Sequence, residues 1–405
     1  MTPTGAPAPL APTAVLAQSL VCAAGVGVAA LAHCLRDNRS ALRPNTFTSE
    51  PLATWVGEVP HLMGLGTLSA ALAHWDCRAT RLAWLGLQAD DFMGATRTAC
   101  QRWGAARVGL VLGTSASTIG ISEQAYRALD DQGRFPLAVR STQLNTIHAV
   151  TAFVQEALGL LGPAVTVSTA CSSSAKAFAQ GARWLQLGLV DAVVVGGVDA
   201  LCDSVLFGFA ALQLVSPDPC QPFGAQRRGI SVGEAAGFAL LQRGVGPVQL
   251  LGYGEANDAH HMSSPHPQGL GAELALQAAC ARAGLLAESI DHVSLHGTAT
   301  PLNDSVEAAL VAHHYGPHVH ASATKGCTGH TMGAAGMVAA LACGLALRQG
   351  LQAGSPGTVQ TDKSLPARFQ QQLQLRPQTR AARTAALHAF GFGGNNAVLV
   401  FGQGR

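Results

Sequence analysis

Apolar segments of strand length alternate with longer alanine-rich segments along most of this chain. Strands that are covered by helices on both faces are apolar throughout, so the short runs of small and β-branched residues predict buried strands. We predict strands at residues 15–22, 106–115, 164–169, 191–201, the end of 229–243, 248–254, 288–298 and 385–402. We predict helices at residues 26–35, 63–87, 90–103, 144–160, 172–187, 271–283 and the alanine-rich part of 320–350. This alternating order is typical of an α/β fold.

The second half of the chain repeats the layout of the first. Residues 164–187 pass from a strand, through a turn of small residues, into an alanine-rich helix, and residues 320–350 follow the same order. Such repetition predicts a pseudo-duplicated α/β architecture. We expect an N-terminal half at residues 1–244 and a C-terminal half at residues 245–405, joined near residues 244–247.

The first apolar stretch, residues 15–32, is long enough to suggest a signal peptide or a membrane span. No Lys or Arg precedes Arg36, however, and Gln18, Ser19 and several glycines interrupt the run. These features disfavour a targeting or spanning segment. We therefore expect a loose leader at residues 1–13, no membrane span and a cytoplasmic protein.

Composition and charge exclude several classes of function. Of the 405 residues 48% are hydrophobic and 12% charged, and the net charge is +2, so a broad basic surface for nucleic acid is not expected. The ten cysteines include no C-x-x-C pair, and a chain of this length needs no disulfides to fold. We expect free thiols in a reducing compartment and no metal site.

One cysteine lies where a predicted strand meets a predicted helix. In AVTVSTACSSSAKAFAQG, residues 164–181, Cys171 follows the strand and Ser172 opens the helix. The unpaired N–H groups at a helix N-terminus favour a thiolate, which is the nucleophilic form of cysteine. A buried structural cysteine is the alternative, and partners elsewhere in the chain must decide between the two.

Three loops of the C-terminal half carry polar residues that could serve this thiol. The first, HGTATP, begins at His296, and the second, KGCTGH, contains Lys325 and His330. The third, FGFGGNN at residues 390–396, offers backbone N–H groups beside two aromatic rings. Taken singly, each loop could equally be an ordinary turn.

Together the motifs resemble the elongating β-ketoacyl-acyl-carrier-protein synthases of the thiolase superfamily. The resemblance rests on TACSSS around Cys171, HGTATPLND from His296, TKGCTGH ending at His330, and GFGG at residues 391–394. It implies a thiolase-like five-layer αβαβα fold with two pseudo-duplicated halves. It also implies acyl substrates carried on the phosphopantetheine of an acyl carrier protein, with no cofactor or metal. The expected assembly is a homodimer, with a heterodimer with a related ketosynthase as the alternative.

The resemblance also implies a role for each matching residue. Cys171 would hold the acyl group, His296 and His330 would stabilise an enolate, and Phe392 would supply an oxyanion N–H and gate the site. Lys325 and Glu307 would form a supporting ion pair. The implied substrate-binding residues are Thr298 and Thr300 for the pantetheine arm and Phe209 and Phe390 near the acyl group.

The resulting expectation is a decarboxylative Claisen condensation of malonyl-acyl-carrier-protein with an acyl group on Cys171. The pathway could be fatty acid, aryl polyene or polyketide biosynthesis; TACSSSAKAF and GFGGNN, in place of the usual GFGGTN, favour a specialised one. One alternative is a non-condensing partner subunit of the chain-length-factor type, which typically lacks the nucleophile. Another is a thiolase or starter-type synthase, which would pair the nucleophile with different residues. Arg227 and Arg228 could contact an acidic carrier or form a solvated surface pair.

Overall fold

The computed structural model describes residues 8–137 and 143–404, so residues 1–7 of the predicted leader lie outside the described residues. The strands of the described residues are β1 Thr13–Cys22, β2 Gly25–Val26, β3 Arg43–Pro44, β4 Trp55–Gly57, β5 Val108–Gly113, β6 Ala164–Val167, β7 Ala192–Asp199, β8 Val232–Gly233, β9 Ala235–Arg243, β10 Val248–Asn257, β11 His292–Ser294, β12 His320–Ser322, β13 Leu351–Gln352, β14 Gln378–Thr379, β15 Thr384–Gly391 and β16 Asn395–Gln403.

The α-helices of the same residues are α1 Val28–Arg36, α2 Leu62–Leu65, α3 Arg78–Gln88, α4 Phe92–Trp103, α5 Ile119–Arg127, α6 Ala149–Leu158, α7 Ser173–Gln186, α8 Asp203–Ala211, α9 Leu270–Ala283, α10 Pro301–His314, α11 Lys325–Thr328, α12 Ala335–Gln349 and α13 Ala367–Gln372.

A large mixed sheet organises the molecule. Its strand order is β12-β11-β15-β16-β10-β1-β9-β7-β5-β6, and β2 pairs with β1 beside this path. The sheet is continuous because residues 13–15 of β1 pair antiparallel with residues 248–250 of β10.

The strand order repeats between the two halves of the sheet. The five strands on one side lie in the order β6-β5-β7-β9-β1, and the five on the other side lie in the order β12-β11-β15-β16-β10. If the five strands of each half are numbered along the chain, both orders read 3-2-4-5-1. In each half a helix after the third strand, α7 or α12, packs between the two parts of the sheet. The exact boundary at residue 244 stays a prediction.

In the part of the chain that the structure describes, the three largest hydrophobic cores hold five layers together, and the middle core contacts both parts of the sheet. The first packs α3, α4 and α6 on one part of the sheet, through Leu82, Phe92 and Phe153. The second surrounds α7 and α12, through Phe178 and Met337. The third packs α9, α10 and α13 on the other part of the sheet; its members include Leu276, Val311 and Phe369. The predicted thiolase-like αβαβα fold is confirmed.

The middle layer contains a long apolar helix, α12. The segment Met332–Gln349 is long and apolar enough to pass as a membrane span by length and composition, and it is the single such segment in the described residues. Most of it is buried inside the fold, with Leu341 and Ala342 each 1% exposed. Its apolar character is therefore accounted for by burial between two sheet layers.

One predicted helix is wrong. The stretch at residues 63–87 is split into α2, a 3-10 helix at Ala70–Trp75 and α3. The separate start of α3 has a local cause, because the Cys77 N–H donates to Thr80 Oγ1 at 3.1 Å in a capping box. The cap at Cys77 thus makes α3 a separate helix within the apolar stretch that predicted a single one.

Candidate active site

Cys171 lies on a strained turn between a strand and a helix. β6 ends at Val167 and α7 begins at Ser173. Ala170, directly before the cysteine, has φ 51°, a left-handed conformation that costs free energy for a residue with a side chain. The turn projects the thiol away from the sheet and toward the loops of the C-terminal half.

The structure brings both predicted histidines to this thiol. Cys171 Sγ lies 2.9 Å from His330 Nε2. The sulfur and one nitrogen of each imidazole, His296 and His330, all lie within 4.8 Å of one another. The two rings meet edge to face, with centroids 5.5 Å apart. Residues that are 159 positions apart in sequence therefore form one cluster.

The neighbours of the two rings determine where their protons lie. The Met332 N–H donates to His330 Nδ1 at 3.2 Å, and Lys325 Nζ lies 3.5 Å from His296 Nδ1. Both neighbours can only donate, so each Nδ1 accepts and each Nε2 carries the proton. Burial and the charge of Lys325 hold the pKa of both histidines well below the usual value. The site therefore offers two neutral N–H donors.

The pKa of the thiol differs from the sequence-based expectation. Burial raises the pKa of Cys171 to about 11, although the charge of Lys325 and the backbone N–H of Phe392 act to lower it. The start of α7 is thus not sufficient to give a thiolate in the free protein, because the desolvation of the sulfur is the larger effect.

The predicted ion pair between Lys325 and Glu307 is not a direct contact. Among the described residues, Glu307 instead accepts the N–H groups of His296 at 2.7 Å and Gly297 at 2.8 Å, and pairs with His388. Lys325 donates to the carbonyl oxygen of His296. The two charges still interact at longer range, since the carboxylate raises the pKa of the lysine against the effect of its burial. The N–H groups of His296 and Gly297 already donate to the Glu307 carboxylate. Lys325 therefore lies beside the His296 imidazole instead of pairing with Glu307.

The remaining predicted residues line one cavity of about 250 Å³ with the thiol. Its walls include Cys171, Phe209, His296, Thr298, Thr300, His330, Phe390 and Phe392. Thr298 and Thr300 lie with their hydroxyls 2.8 Å apart, and Phe209 contacts the ring of Phe392 edge to face, with centroids 5.8 Å apart. A larger depression of about 620 Å³ lies elsewhere, beside α3 and α5, and contains none of these residues.

A glycine allows the third loop to approach the nucleophile. A Cβ at Gly391 would lie 2.8 Å from the Thr169 oxygen and 3.2 Å from the Cys171 nitrogen. Any side chain there would push the loop away from the cysteine turn, and with it the Phe392 N–H that reaches the sulfur. The oxyanion N–H expected of Phe392 therefore depends on this glycine.

Two buried acids hold these loops: Asp199, to which the sequence motifs assign no role, and Asp304, which ends the HGTATPLND motif. Asp199, at the end of β7, accepts the N–H groups of Ser115 and Gly333, the latter at 2.7 Å, close to His330. Asp304 accepts the N–H groups of Phe223 at 2.6 Å and Ala299 at 3.2 Å, and burial raises its pKa to about 7. The signal that could have indicated Asp199 is an acid at the end of an otherwise apolar strand, in DAVVVGGVDAL at residues 191–201.

Arg227 is not available to an acidic partner. Its side chain is 6% exposed and pairs with Asp362 at 2.6 Å. Arg228, by contrast, is 63% exposed and lies 3.4 Å from Asp218. Of the two arginines considered from the sequence, only Arg228 presents its charge to solvent.

The three clustered side chains could suggest a metal site, but their donors do not fit one. A metal needs an imidazole nitrogen with a free lone pair. Here the Nδ1 atoms accept hydrogen bonds and the Nε2 atoms carry protons, as described above. The cationic Lys325 beside His296 would also repel a metal ion.

Family models match most of the chain. The model for the N-terminal domain of β-ketoacyl synthases matches residues 85–245, and the model for the C-terminal domain matches residues 248–357. The chain is 31% identical to nodulation protein E of Rhizobium meliloti (strain 1021) over 397 residues, which cover 95% of this chain and 97% of that protein. It is 29% identical to 3-oxoacyl-[acyl-carrier-protein] synthase 2 of Staphylococcus aureus (strain COL), over 73% of this chain and 75% of that protein.

Solved structures give the same picture. A chain of the complex between the ketosynthase ApeO and its chain length factor ApeC, from Xenorhabdus doucetiae, matches with a TM-score of 0.89 and 32% identity, covering 97% of this chain and 98% of that chain. A chain of the ishigamide ketosynthase/chain length factor matches with a TM-score of 0.84 and 27% identity, covering 97% and 99%.

Proposed function

Because the chain belongs to the β-ketoacyl synthase family, we propose that it joins an acyl group on Cys171 to the two-carbon unit of a malonyl thioester carried by an acyl carrier protein. The observation that carries this proposal is the thiol that lies 2.9 Å from one imidazole and shares a cavity with a second. Neither a metal nor a redox cofactor takes part in the proposed chemistry.

The first step is acyl transfer to Cys171. The sulfur attacks the carbonyl of an acyl thioester, and the N–H groups of Cys171 and Phe392 bind the oxyanion that forms. The carbon–sulfur bond to the carrier then breaks, and the cysteine proton ends on the departing pantetheine thiol. Since the free thiol has a raised pKa, its proton must be lost during this step rather than before it.

The second step is condensation. A malonyl thioester loses carbon dioxide, and the electron pair of the broken carbon–carbon bond forms an enolate. The enolate oxygen accepts hydrogen bonds from the Nε2–H groups of His296 and His330. The enolate carbon attacks the acyl-cysteine carbonyl, the carbon–sulfur bond breaks, and the sulfur leaves as a thiolate that takes up a proton from water. The products are a β-ketoacyl carrier, carbon dioxide and free Cys171. Neutral imidazoles suit this role because they donate without a net charge that would bind the malonyl carboxylate.

Cys171→Ala tests the proposal, with Cys100→Ala as the matched control. We expect the unmodified chain and Cys100→Ala to gain the acyl mass from an acyl carrier thioester and then to form β-ketoacyl product with malonyl carrier. Cys171→Ala should do neither, as judged by intact-mass spectrometry of protein and carrier. Product formed by Cys171→Ala at the rate of the control would refute the function.

A non-condensing partner role is the second candidate, and the similarity to chains from ketosynthase/chain length factor complexes favours keeping it. It predicts no acyl adduct on Cys171 and no product unless a related chain is added. The presence of the thiol and both histidines favours the condensing role. We propose that a dimer forms in either case, and that fatty acid, aryl polyene or polyketide synthesis uses the product.

A further inference from the structure

A buried chain of hydrogen bonds lies behind His296 and includes a histidine that the proposed chemistry does not use. His388, on β15, lies with Nδ1 2.9 Å from Glu307 Oε1 and Nε2 2.7 Å from the Tyr315 hydroxyl. The His388 and Glu307 side chains are both fully buried, and Tyr315 is 0% exposed. Glu307 lies in α10 and Tyr315 directly follows the last residue of that helix, so His388 ties both the helix and its C-terminal end to β15.

The direction of each hydrogen bond follows from its chemistry. The Glu307 oxygen accepts, so His388 Nδ1 carries the donated proton, and Nε2 accepts from the Tyr315 hydroxyl. Glu307 also receives the N–H groups of His296 and Gly297. His388 therefore holds the Glu307 carboxylate in place, and this carboxylate in turn holds the backbone of His296.

A second contact joins the same two histidines through an aromatic ring. The ring of Phe390 stacks on His388, with centroids 5.2 Å apart, and its centroid lies 5.9 Å from that of His296. The backbone at Gly297 has little freedom of its own, since its φ is 43° and a Cβ there would lie 2.6 Å from Ala323 Cβ. A change at His388 can thus reach the His296 imidazole along two routes.

We propose that His388 is a positioning residue for His296, and that it serves malonyl decarboxylation rather than the acylation of Cys171. This inference rests on the proposed function. Acylation depends on the thiol and the N–H groups of Cys171 and Phe392, none of which His388 or Glu307 contacts in the described hydrogen bonds. Decarboxylation depends on the exact placement of the His296 N–H at the enolate oxygen.

Three variants test the inference. His388→Leu fills the space without hydrogen bonds, His388→Asn retains an N–H donor near the position of Nδ1, and Tyr315→Phe removes only the hydroxyl. Two rates are measured for each: the rate at which Cys171 gains acyl mass, and the release of labelled carbon dioxide from carboxyl-labelled malonyl carrier by the acylated protein.

We expect His388→Leu to acylate Cys171 at the normal rate while its carbon dioxide release falls about 30-fold, as for misplaced catalytic groups generally. His388→Asn should recover release to within about fivefold of the unmodified chain, because one hydrogen bond is restored. Tyr315→Phe should lose about fivefold in release alone.

Equal losses in both rates, or normal release in His388→Leu, would overturn the inference. If His388→Leu does not fold, unchanged release in Tyr315→Phe would overturn it instead, and a selective loss would support it. Carbon dioxide release that is absent from the unmodified acylated chain would be a different failure, since it would overturn the proposed function and this inference with it.

Discussion

Two opposing influences act on the Cys171 side chain. The helix start, the Phe392 N–H and the Lys325 charge favour a thiolate, while burial favours the thiol and dominates. The sequence could predict the helix start because the motif around the cysteine is local. Burial depends on loops from the other half of the chain, so no local pattern could predict the raised pKa.

The raised pKa of Cys171 predicts the pH dependence of its alkylation. Only the thiolate reacts, so the rate with iodoacetamide should keep rising about tenfold per pH unit through pH 9 and 10. A short cysteine peptide should instead level off near its ordinary pKa of about 8.5. Mass spectrometry of the Cys171 peptide measures the rate. A plateau at or below pH 7 would show that the free protein already holds a thiolate.

Two residues that set this sequence apart from the usual motifs contact each other. Lys176, in α7, donates to Asn395 Oδ1 at 3.0 Å, and Asn395 belongs to the GFGGNN ending. Burial lowers the pKa of Lys176, and the charge of Glu255 opposes this effect. The contact ties the cysteine helix to the loop that carries the Phe392 N–H.

A double-mutant cycle measures this tie. Lys176→Met and Asn395→Ala should each lower the free energy of unfolding, and the double variant should cost about 1 kcal/mol less than the sum of the two. Urea unfolding measures the three differences, and Arg228→Met serves as an exposed control with little effect. Fully additive losses would mean that the two side chains do not interact.

At the scale of elements, glycines determine how closely helices approach the sheet. A Cβ at Gly254, in β10, would lie 1.8 Å from the carbonyl oxygen of Ala275 in α9. The backbone of α9 therefore rests directly on the strand. The sequence predicted both elements, yet it could not indicate which of the 46 glycines is a contact point, because that depends on the partner helix.

Replacement of this glycine should be costly. Gly254→Ala should lower the free energy of unfolding by about 3 kcal/mol, since backbone atoms must move to admit the methyl group. Gly208→Ala, in α8, is the matched control: no atom lies within 4 Å of its Cβ position, so it should gain about 0.5 kcal/mol from helix propensity. Urea unfolding compares them, and equal values for the two variants would contradict the packing argument.

The whole molecule follows from a repeated strand–helix pattern, which is why the layered fold was predictable. Periodicity identified the buried strands and the two alanine-rich central helices. It could not show that the two halves share one sheet, because the pairing of β1 with β10 involves residues more than 230 positions apart. The same limit explains why the sequence did not indicate a role for His388, because its hydrogen-bond partners are 73 and 81 positions away.

The free edge of β6 predicts where a second chain would dock. Among the described residues β6 ends the sheet. The oxygens of Pro163 and Val167 accept hydrogen bonds from Leu110 in β5 and from the residue directly after β5, so the N–H of Ala164 points to the outer edge. Such an edge is a template for pairing with another chain. Ala164→Pro should therefore weaken a dimer at least about tenfold, because proline has no N–H to donate.

Analytical ultracentrifugation provides the measurement, with Ala164→Thr as a control that keeps the N–H. A dimer dissociation constant that Ala164→Pro leaves unchanged would place the interface on another surface.

The position of β1 has a consequence for synthesis on the ribosome. This strand is made before the rest of the sheet, yet it lies between β9 and β10, whose residues 235–257 emerge much later. More than two hundred further residues must therefore leave the exit tunnel before the apolar strand β1 can pair with β9 or β10. An apolar strand that stays unpaired during translation is prone to aggregation, which is the hazard that chaperones counter.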